Sequence, residues 1–260
     1  MSSNLRLRVL SALILIPAAY GLFYVGGGWL VAVLGLIAVV MMHEWTSMTE
    51  GEAVWPLLLL EVMALVGALL MTGFGHPMKA VLFSLVAAVL VGFAAWMMTR
   101  RPLWAMLGML YVIIPCVSLL SLRSEPGHGF GWTLWVLVIV WATDIGGYAA
   151  GKSIGGPKLA PRISPNKTWA GLLGGMALAA IASFGIGAGF ALPVSGIGLL
   201  LTGAGLAVWA QLGDLVESAV KRHFGVKDSG SLIPGHGGIL DRVDGLVFVA
   251  PVVAFAIATL

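Results

Sequence analysis

The stretch WTLWVLVIVWATDIGGYAAG, residues 132–151, decides the fold class of this chain. It is apolar throughout except for a single charged residue, Asp144. A run of about 20 such residues is what an α-helix needs to cross the hydrocarbon core of a bilayer. Because lipid cannot hydrogen-bond to open backbone groups, the run is expected to be helical.

Further apolar runs of similar length lie on both sides of this stretch. Of the 260 residues, 60% are hydrophobic and only 10% are charged, and the mean hydropathy is +1.03. A soluble domain carries roughly 25% charged residues, and a disordered chain needs high charge with low hydrophobicity. Both classes are therefore excluded, and we predict an all-α polytopic integral membrane protein. Its nine predicted helices are 9–25, 29–48, 54–73, 78–98, 102–122, 132–151, 169–190, 192–216 and 244–260.

The positive charges are distributed unevenly between the predicted connections. With nine spans and an inside N-terminus, all of the 14 Lys and Arg residues except Lys79 and Arg123 fall on the inner side. Cytoplasmic connections of membrane proteins are enriched in Lys and Arg. The distribution therefore predicts that the polar loops face the cytoplasm, and the membrane we expect is a bacterial inner membrane. It also explains the net charge of +3 without a nucleic-acid partner.

Polar residues divide the chain into two predicted regions. Residues 1–130 are apolar helices with short connections, whereas 131–260 carry two long polar loops, 152–168 and 217–243. The only cysteine, Cys116, excludes an internal disulfide and a multi-cysteine zinc site. We predict that the second region is catalytic.

The two polar loops combine acidic and basic residues. A loop that only sets topology needs lysine and arginine, but it does not need interleaved aspartates. Aspartates can hold Mg²⁺ together with substrate phosphates, and Lys and Arg can neutralise the remaining phosphate charge. Asp144 and Asp214, at the inner ends of apolar runs, are either cation ligands, proton carriers or interfacial carboxylates that reach water. Lys167 and Thr168 precede a helix, where Thr168 or Ser164 can cap the helix and an anion can also bind.

Several other motifs favour structural interpretations. Residues 146–153 satisfy the phosphate-loop pattern GxxxxGK[ST], but they end an apolar run and lack the preceding strand that a true phosphate loop needs. Glu44 does not belong to an HExxH motif, and we expect it to be solvated near an interfacial Trp45. The GxxxG of Gly171 and Gly175 is typical of close helix packing. Glu61, inside an apolar run, has no explanation from the sequence.

Residues 218–244 form a dense polar signature, SAVKR-x4-KDSG-x2-IPGHGGILDRVD. This run resembles the signature of the phosphatidate cytidylyltransferase (CDP-diacylglycerol synthase) family. The QLGD of 211–214, the SPNKTW of 164–169 and Asp144 resemble further elements of that family. In the family the SPxKTW element usually continues with Glu-Gly, and here it continues with Ala170 and Gly171.

The resemblance implies that CTP and phosphatidic acid react in the membrane to give CDP-diacylglycerol and pyrophosphate. It implies Mg²⁺, with K⁺ as a second candidate ion, and it leaves a homodimer open. The implied metal ligands are Asp144, Asp214, Asp241 and Asp244. The implied catalytic residues are Lys167, Asp214, Lys227, His236, Asp241 and Arg242. The implied contacts to CTP or lipid phosphate are Ser164, Lys167, Lys221, Arg222 and Lys227.

Two alternatives remain open at this point. The first is a related membrane cytidylyltransferase or lipid kinase that uses another lipid acceptor. The second is a transporter or channel whose intramembrane acids carry ions. The lack of an internal repeat, and the gathering of polar residues at one face, count against transport.

Overall fold

The computed structural model describes residues 17–51, 55–230 and 237–259 of the chain. Residues 17–25 are helical and are called α1. The remaining elements are α2 (Gly27–Glu50), α3 (Trp55–Gly73), α4 (Pro77–Met98), α5 (Pro102–Arg123), α6 (Gly129–Ser153), β1 (Lys158–Ala160), β2 (Ser164–Thr168), α7 (Trp169–Gly189), α8 (Gly196–His223) and α9 (Leu240–Ala258).

Seven of the described helices, α2 to α8, are long and apolar enough to cross a membrane. Many large apolar side chains on their outer faces are exposed, for example Leu90 and Phe93 of α4 at 66% and 61%. In water these faces would be unfavourable, whereas in lipid they are solvated. The prediction of an all-α polytopic membrane protein is therefore confirmed. α9 is more polar, because Asp241, Arg242 and Asp244 lie within its first five residues.

The two polar loops differ from their predictions. The second polar loop was expected to begin at residue 217, but α8 continues to His223. The added turns are stabilised by the ion pair between Glu217 and Lys221, which are four residues apart on one helix face. The first loop contains an antiparallel hairpin in which Ala160 pairs with Ser164, and this hairpin was not predicted. The division into regions 1–130 and 131–260 stays a prediction.

Glycines allow α6 and α7 to pack with their backbones in near contact. A Cβ atom built on Gly146 would lie 2.5 Å from the carbonyl oxygen of Gly174, and one on Gly175 would lie 2.9 Å from that of Thr143. The predicted packing role of the GxxxG, including Gly171, is confirmed. Residues 146–153 belong to α6 and are helical, so they do not form a phosphate loop.

The ends of several helices meet at one end of the bundle. Arg101, at the start of α5, donates a hydrogen bond to the carbonyl oxygen of Thr49 near the end of α2. Trp104 stacks on His223 at the end of α8, with ring centroids 5.2 Å apart. The hairpin precedes α7 and joins it at this same end. The predicted site residues within the described part of the chain belong to this end, whereas Lys79 and Arg123 lie at the other end.

Candidate active site

An ion pair joins two polar regions in the second half of the chain, the β1–β2 hairpin and the end of α8. The Nζ atom of Lys167, in β2, lies 2.5 Å from Oδ2 of Asp214, in α8. The other carboxylate oxygen of Asp214 accepts a hydrogen bond of 3.2 Å from the hydroxyl of Ser218, one turn further along the helix. The two regions, which are separated by the whole of α7, therefore form one site.

The hairpin and the start of α7 hold Lys167 in place. Thr168 is in extended conformation at the N-cap of α7, and its hydroxyl accepts a hydrogen bond of 3.0 Å from the N–H of Gly171. This is the capping that the sequence predicted for Thr168. Ser164 begins the strand and is half-buried. Lys167 is thus fixed by a strand on one side and a capped helix on the other.

Asp214 of this pair interacts electrostatically with one aspartate on each of two other helices. Asp144 of α6 and Asp244 of α9 both lie within electrostatic range of Asp214. Asp144 is accessible at the surface of the bundle. Lys167 and Arg242 act on Asp144 with the opposite charge.

Lys221 of α8 is placed between two acidic side chains. Its Nζ atom donates a hydrogen bond of 3.1 Å to Glu217 and a second hydrogen bond to Asp241. The side chains of Lys221, Glu217 and Asp241 are 11%, 1% and 8% exposed. Buried charges of this kind are stable only when they are paired, so the three groups depend on one another.

Asp241 organises the loop that precedes α9. Its Oδ2 atom accepts hydrogen bonds from the N–H of Ser229 at 2.9 Å and the N–H of Gly238 at 2.8 Å. Burial alone would raise the pKa of Asp241, but the hydrogen bonds from Lys221, Gly238 and Ser229 outweigh it and hold the pKa below its ordinary value. The carboxylate is thus held in its charged form by Lys221 and the loop.

A glutamate that the sequence analysis assigned to solvent lies at the centre of this loop. The expectation that Glu44 is solvated is wrong, because this residue is only 5% exposed. Its carboxylate accepts hydrogen bonds of 2.9 Å from the N–H groups of Ile239 and Leu240, at the start of α9, and one of 3.3 Å from the hydroxyl of Ser229. The one available signal was that a carboxyl group in an apolar run needs a buried partner.

The remaining predicted residues lie at the surface of the site. Lys227 and Arg242 are exposed, and Arg242 acts electrostatically on Asp144. The guanidinium of Arg222 donates to the carbonyl oxygen of Val226 at 3.3 Å, at the end of α8. His236 lies outside the described residues. The structure therefore pairs Lys167 with Asp214 and Lys221 with Asp241, and it brings Arg242 within electrostatic range of Asp144.

The donor set fits a divalent cation in chemistry and in charge. Five carboxyl groups of the described residues interact here, against the three cationic groups Lys167, Lys221 and Arg242. In that same part of the chain, no three His, Cys, Asp or Glu side chains are already arranged around one metal position. Mg²⁺ does not require such an arrangement, since it is usually held by one or two carboxylates, waters and substrate phosphates.

Comparison with known proteins shows the family of this chain. The model of the cytidylyltransferase family matches residues 6–260. A protein named phosphatidate cytidylyltransferase from Brucella suis is 39% identical over 95% of this chain and 91% of its own length. Relatives with the same name occur in Pseudomonas aeruginosa, at 34% identity over 96% of both chains, and in Bacillus subtilis, at 47% over 54% of this chain and 52% of the relative. This chain belongs to the cytidylyltransferase family.

Proposed function

We propose that this chain is a phosphatidate cytidylyltransferase, a membrane nucleotidyltransferase of phospholipid biosynthesis. It converts CTP and phosphatidic acid into CDP-diacylglycerol and pyrophosphate. The observation that carries the proposal is the match to the family and to relatives of that name over almost the whole chain. The ion pair between Lys167 and Asp214 supports it, because it joins the two polar regions that such a reaction needs.

The reaction joins two anions. An oxygen of the lipid phosphate attacks the α-phosphorus of CTP, a new P–O bond forms, and the bond to the β-phosphate breaks. The electron pair of that bond leaves with pyrophosphate. A phosphate monoester is largely ionised near neutral pH, with a second pKa near 6, so no side chain has to remove a proton from the attacking group. The catalytic demand is therefore electrostatic stabilisation and alignment.

The basic residues of the site are suited to that demand. Lys227 and Arg242 are exposed to water, from which the triphosphate of CTP would arrive. Lys167 is half-buried beside Asp214 and would contact the reacting phosphate groups. Ser164, Arg222 and His236 stay predicted phosphate contacts. Lys221 is held by two carboxylates, and we assign it to positioning Asp241 instead of binding substrate.

The acidic residues would hold the metal ion. Asp144, Asp214 and Asp244 belong to three different helices and lie within electrostatic range of one another, and Asp241 is held by Lys221. Bound Mg²⁺ would neutralise phosphate charge and stabilise the leaving pyrophosphate. K⁺ stays a predicted second ion. A second copy of the chain stays a predicted partner.

We place the site on the cytoplasmic side of a bacterial inner membrane. The charges of the described residues support this placement. Among the Lys and Arg residues of that part of the chain, only Lys79 and Arg123 lie at the end of the bundle away from the site. CTP is available in the cytoplasm, and the lipid headgroup lies in the membrane plane at the same level. Both substrates can therefore reach the site without crossing the bilayer.

The test is CTP-dependent pyrophosphate release by the purified protein in mixed micelles that contain phosphatidic acid, with and without EDTA. We expect release to stop in EDTA and to return with excess Mg²⁺. Asp214→Asn should lower kcat at least 100-fold, since it removes the charge that faces Lys167. Glu125→Gln, at the opposite end of the bundle, is the control. No release by the wild-type protein with either CTP or ATP, for any phosphatidate tested, would overturn the assignment.

A further inference from the structure

An apolar pocket lies between α5, α8 and α9. The last two helices also carry Asp214 and Asp244, which are called the acidic cluster below. The pocket has a volume of about 310 Å³ and is open towards the outer face of the bundle. Only two of its lining side chains, Tyr111 and Trp209, carry a polar atom. The indole N–H of Trp209 is already used, because it donates to the carbonyl oxygen of Phe248 at 2.9 Å.

Two prolines account for the space between the helices. Pro115 of α5 and Pro251 of α9 both lie inside their helices and both line the pocket. A helix-interior proline removes the hydrogen bond to the carbonyl group four residues earlier and favours a local bend. The carbonyl groups affected are those of Tyr111 and Val247, which line the same pocket. Both prolines therefore lie at the level of the pocket.

The hydroxyl group of Tyr111 is buried and has no hydrogen-bond partner within the described part of the chain. Its ring is held by Trp45 and Phe248, with centroids 5.2 and 6.3 Å away. A buried hydroxyl without a partner is unfavourable, and a bound acceptor oxygen would relieve this. The same side chain lies within electrostatic range of Asp214 and Asp244, so it connects the pocket to the acidic cluster.

We propose that this pocket binds the diacylglycerol part of phosphatidate, and that Tyr111 donates a hydrogen bond to an ester or phosphate oxygen at its polar end. The proposal rests on the proposed function and names the part of the lipid that the pocket holds. CTP is too polar for an apolar wall, whereas an acyl chain matches it. Trp209 and Val252, at the rim, are 40% and 41% exposed on the lipid-facing side. The lipid can therefore enter sideways from the bilayer.

The first experiment uses Tyr111→Phe, which removes only the hydroxyl oxygen. The KM for phosphatidate, expressed as its mole fraction in mixed micelles, should rise about tenfold, which corresponds to one lost hydrogen bond. The KM for CTP should stay within twofold of the wild-type value. A lower kcat with both KM values unchanged would mean that Tyr111 has only a structural role, and this result would overturn the proposal.

The second experiment narrows the pocket at its rim. Val252→Phe places a larger side chain at an exposed position, so folding should be retained. We expect the KM for a long-chain phosphatidate to rise at least fivefold, and that for dihexanoyl phosphatidate to change less. Val89→Phe, at an exposed position of α4, is the matched control and should change neither. Equal effects of the two variants would contradict a lipid site at the pocket.

A third measurement separates this proposal from the proposed function. Purified full-length protein is irradiated with phosphatidate that carries a diazirine near the carboxyl end of one acyl chain, and labelled peptides are mapped by mass spectrometry. Labelling should concentrate at 110–115 and 247–252 and should fall in Val252→Phe. Because labelling needs no turnover, it decides the pocket's role even if cytidylyl transfer is absent. Labels spread evenly over the exposed helix faces would overturn the proposal.

Discussion

Removing the carboxylate of Glu44 should uncouple the loop before α9 from the helical bundle. Glu44 comes from α2, near the start of the chain, and accepts two backbone hydrogen bonds of 2.9 Å at the N-terminus of α9. The second of these, from Leu240, is completely buried, whereas Ile239 is half-buried. Water can therefore replace only one of the two bonds in Glu44→Ala.

The magnitude follows from these two bonds. A hydrogen bond to a charged group contributes roughly 1.5–3 kcal/mol, and a buried donor left without a partner costs about 1–3 kcal/mol. Allowing for rehydration of Ile239, the change should cost about 2–4 kcal/mol. A change of 1 kcal/mol shifts the unfolding midpoint of a domain of this size by roughly 2–4 °C. The midpoint of Glu44→Ala should therefore fall by roughly 5–15 °C.

The assay is size-exclusion chromatography of detergent-solubilised protein after heating, with cytidylyl transfer measured on the same samples. Activity at low temperature should fall at least tenfold, because the loop carries Lys227 and its N–H groups at Ser229 and Gly238 hold Asp241. Glu44→Gln keeps one accepting oxygen and should fall between Glu44→Ala and the wild type. Glu125→Ala removes a carboxylate that accepts from His128 at 3.1 Å, at the opposite end of the bundle, and is the control. A midpoint for Glu44→Ala within about 2 °C of the wild type would refute the anchoring role.

Three further changes test other parts of the structure. Lys221→Met should destabilise the protein by about 3–5 kcal/mol in thermal unfolding, because two buried carboxylates lose their shared cation. Gly146→Ala should sharply reduce the yield of monodisperse protein, since the new Cβ would lie 2.5 Å from a backbone oxygen of α7. Lys167→Met should lower kcat at least 100-fold in the pyrophosphate assay, because we propose that this side chain contacts the reacting phosphates.

Each of these changes has a control in the neighbouring sequence. Arg222→Met removes an exposed cation one residue after Lys221 and should change stability by less than about 0.5 kcal/mol. Gly147→Ala should be tolerated, since its Cβ would lie 3.5 Å from the nearest atom of α7. Lys158→Met, at an exposed position of the same hairpin, should leave kcat near the wild-type value. Equal behaviour of a variant and its control would contradict the geometry behind that prediction.

Much of the helical architecture could be predicted from the sequence. The runs 78–98 and 102–122 correspond to Pro77–Met98 and Pro102–Arg123 within one residue at each end. The reason is that lipid imposes a strong local rule: an apolar segment of sufficient length must satisfy its own backbone hydrogen bonds, and only a helix does so. Proline at the first position of α4 and α5 marks the start of each helix.

This local rule fails where a segment is polar and nevertheless helical. Residues 217–223 are polar, and the sequence analysis therefore assigned them to a loop, although the pairing of Glu217 with Lys221 continues the helix. The hairpin at 158–168 is too short to show a repeating pattern. The resemblance predicted the polar residues of the site, but it did not give their contacts.

The sequence by itself determined that this chain crosses the membrane as helices, that its positive charges collect at one end, and that its polar signature belongs to nucleotidyl transfer. Only the tertiary structure decided which polar and charged side chains interact with one another. Glu44 contacts Leu240 across 196 residues of chain, and Tyr111 of α5 reaches the acids of α8 and α9. Helices of equal composition can pack in many ways, because lipid solvates all their apolar faces alike. Only the close approach of small residues and the pairing of buried polar groups select one arrangement.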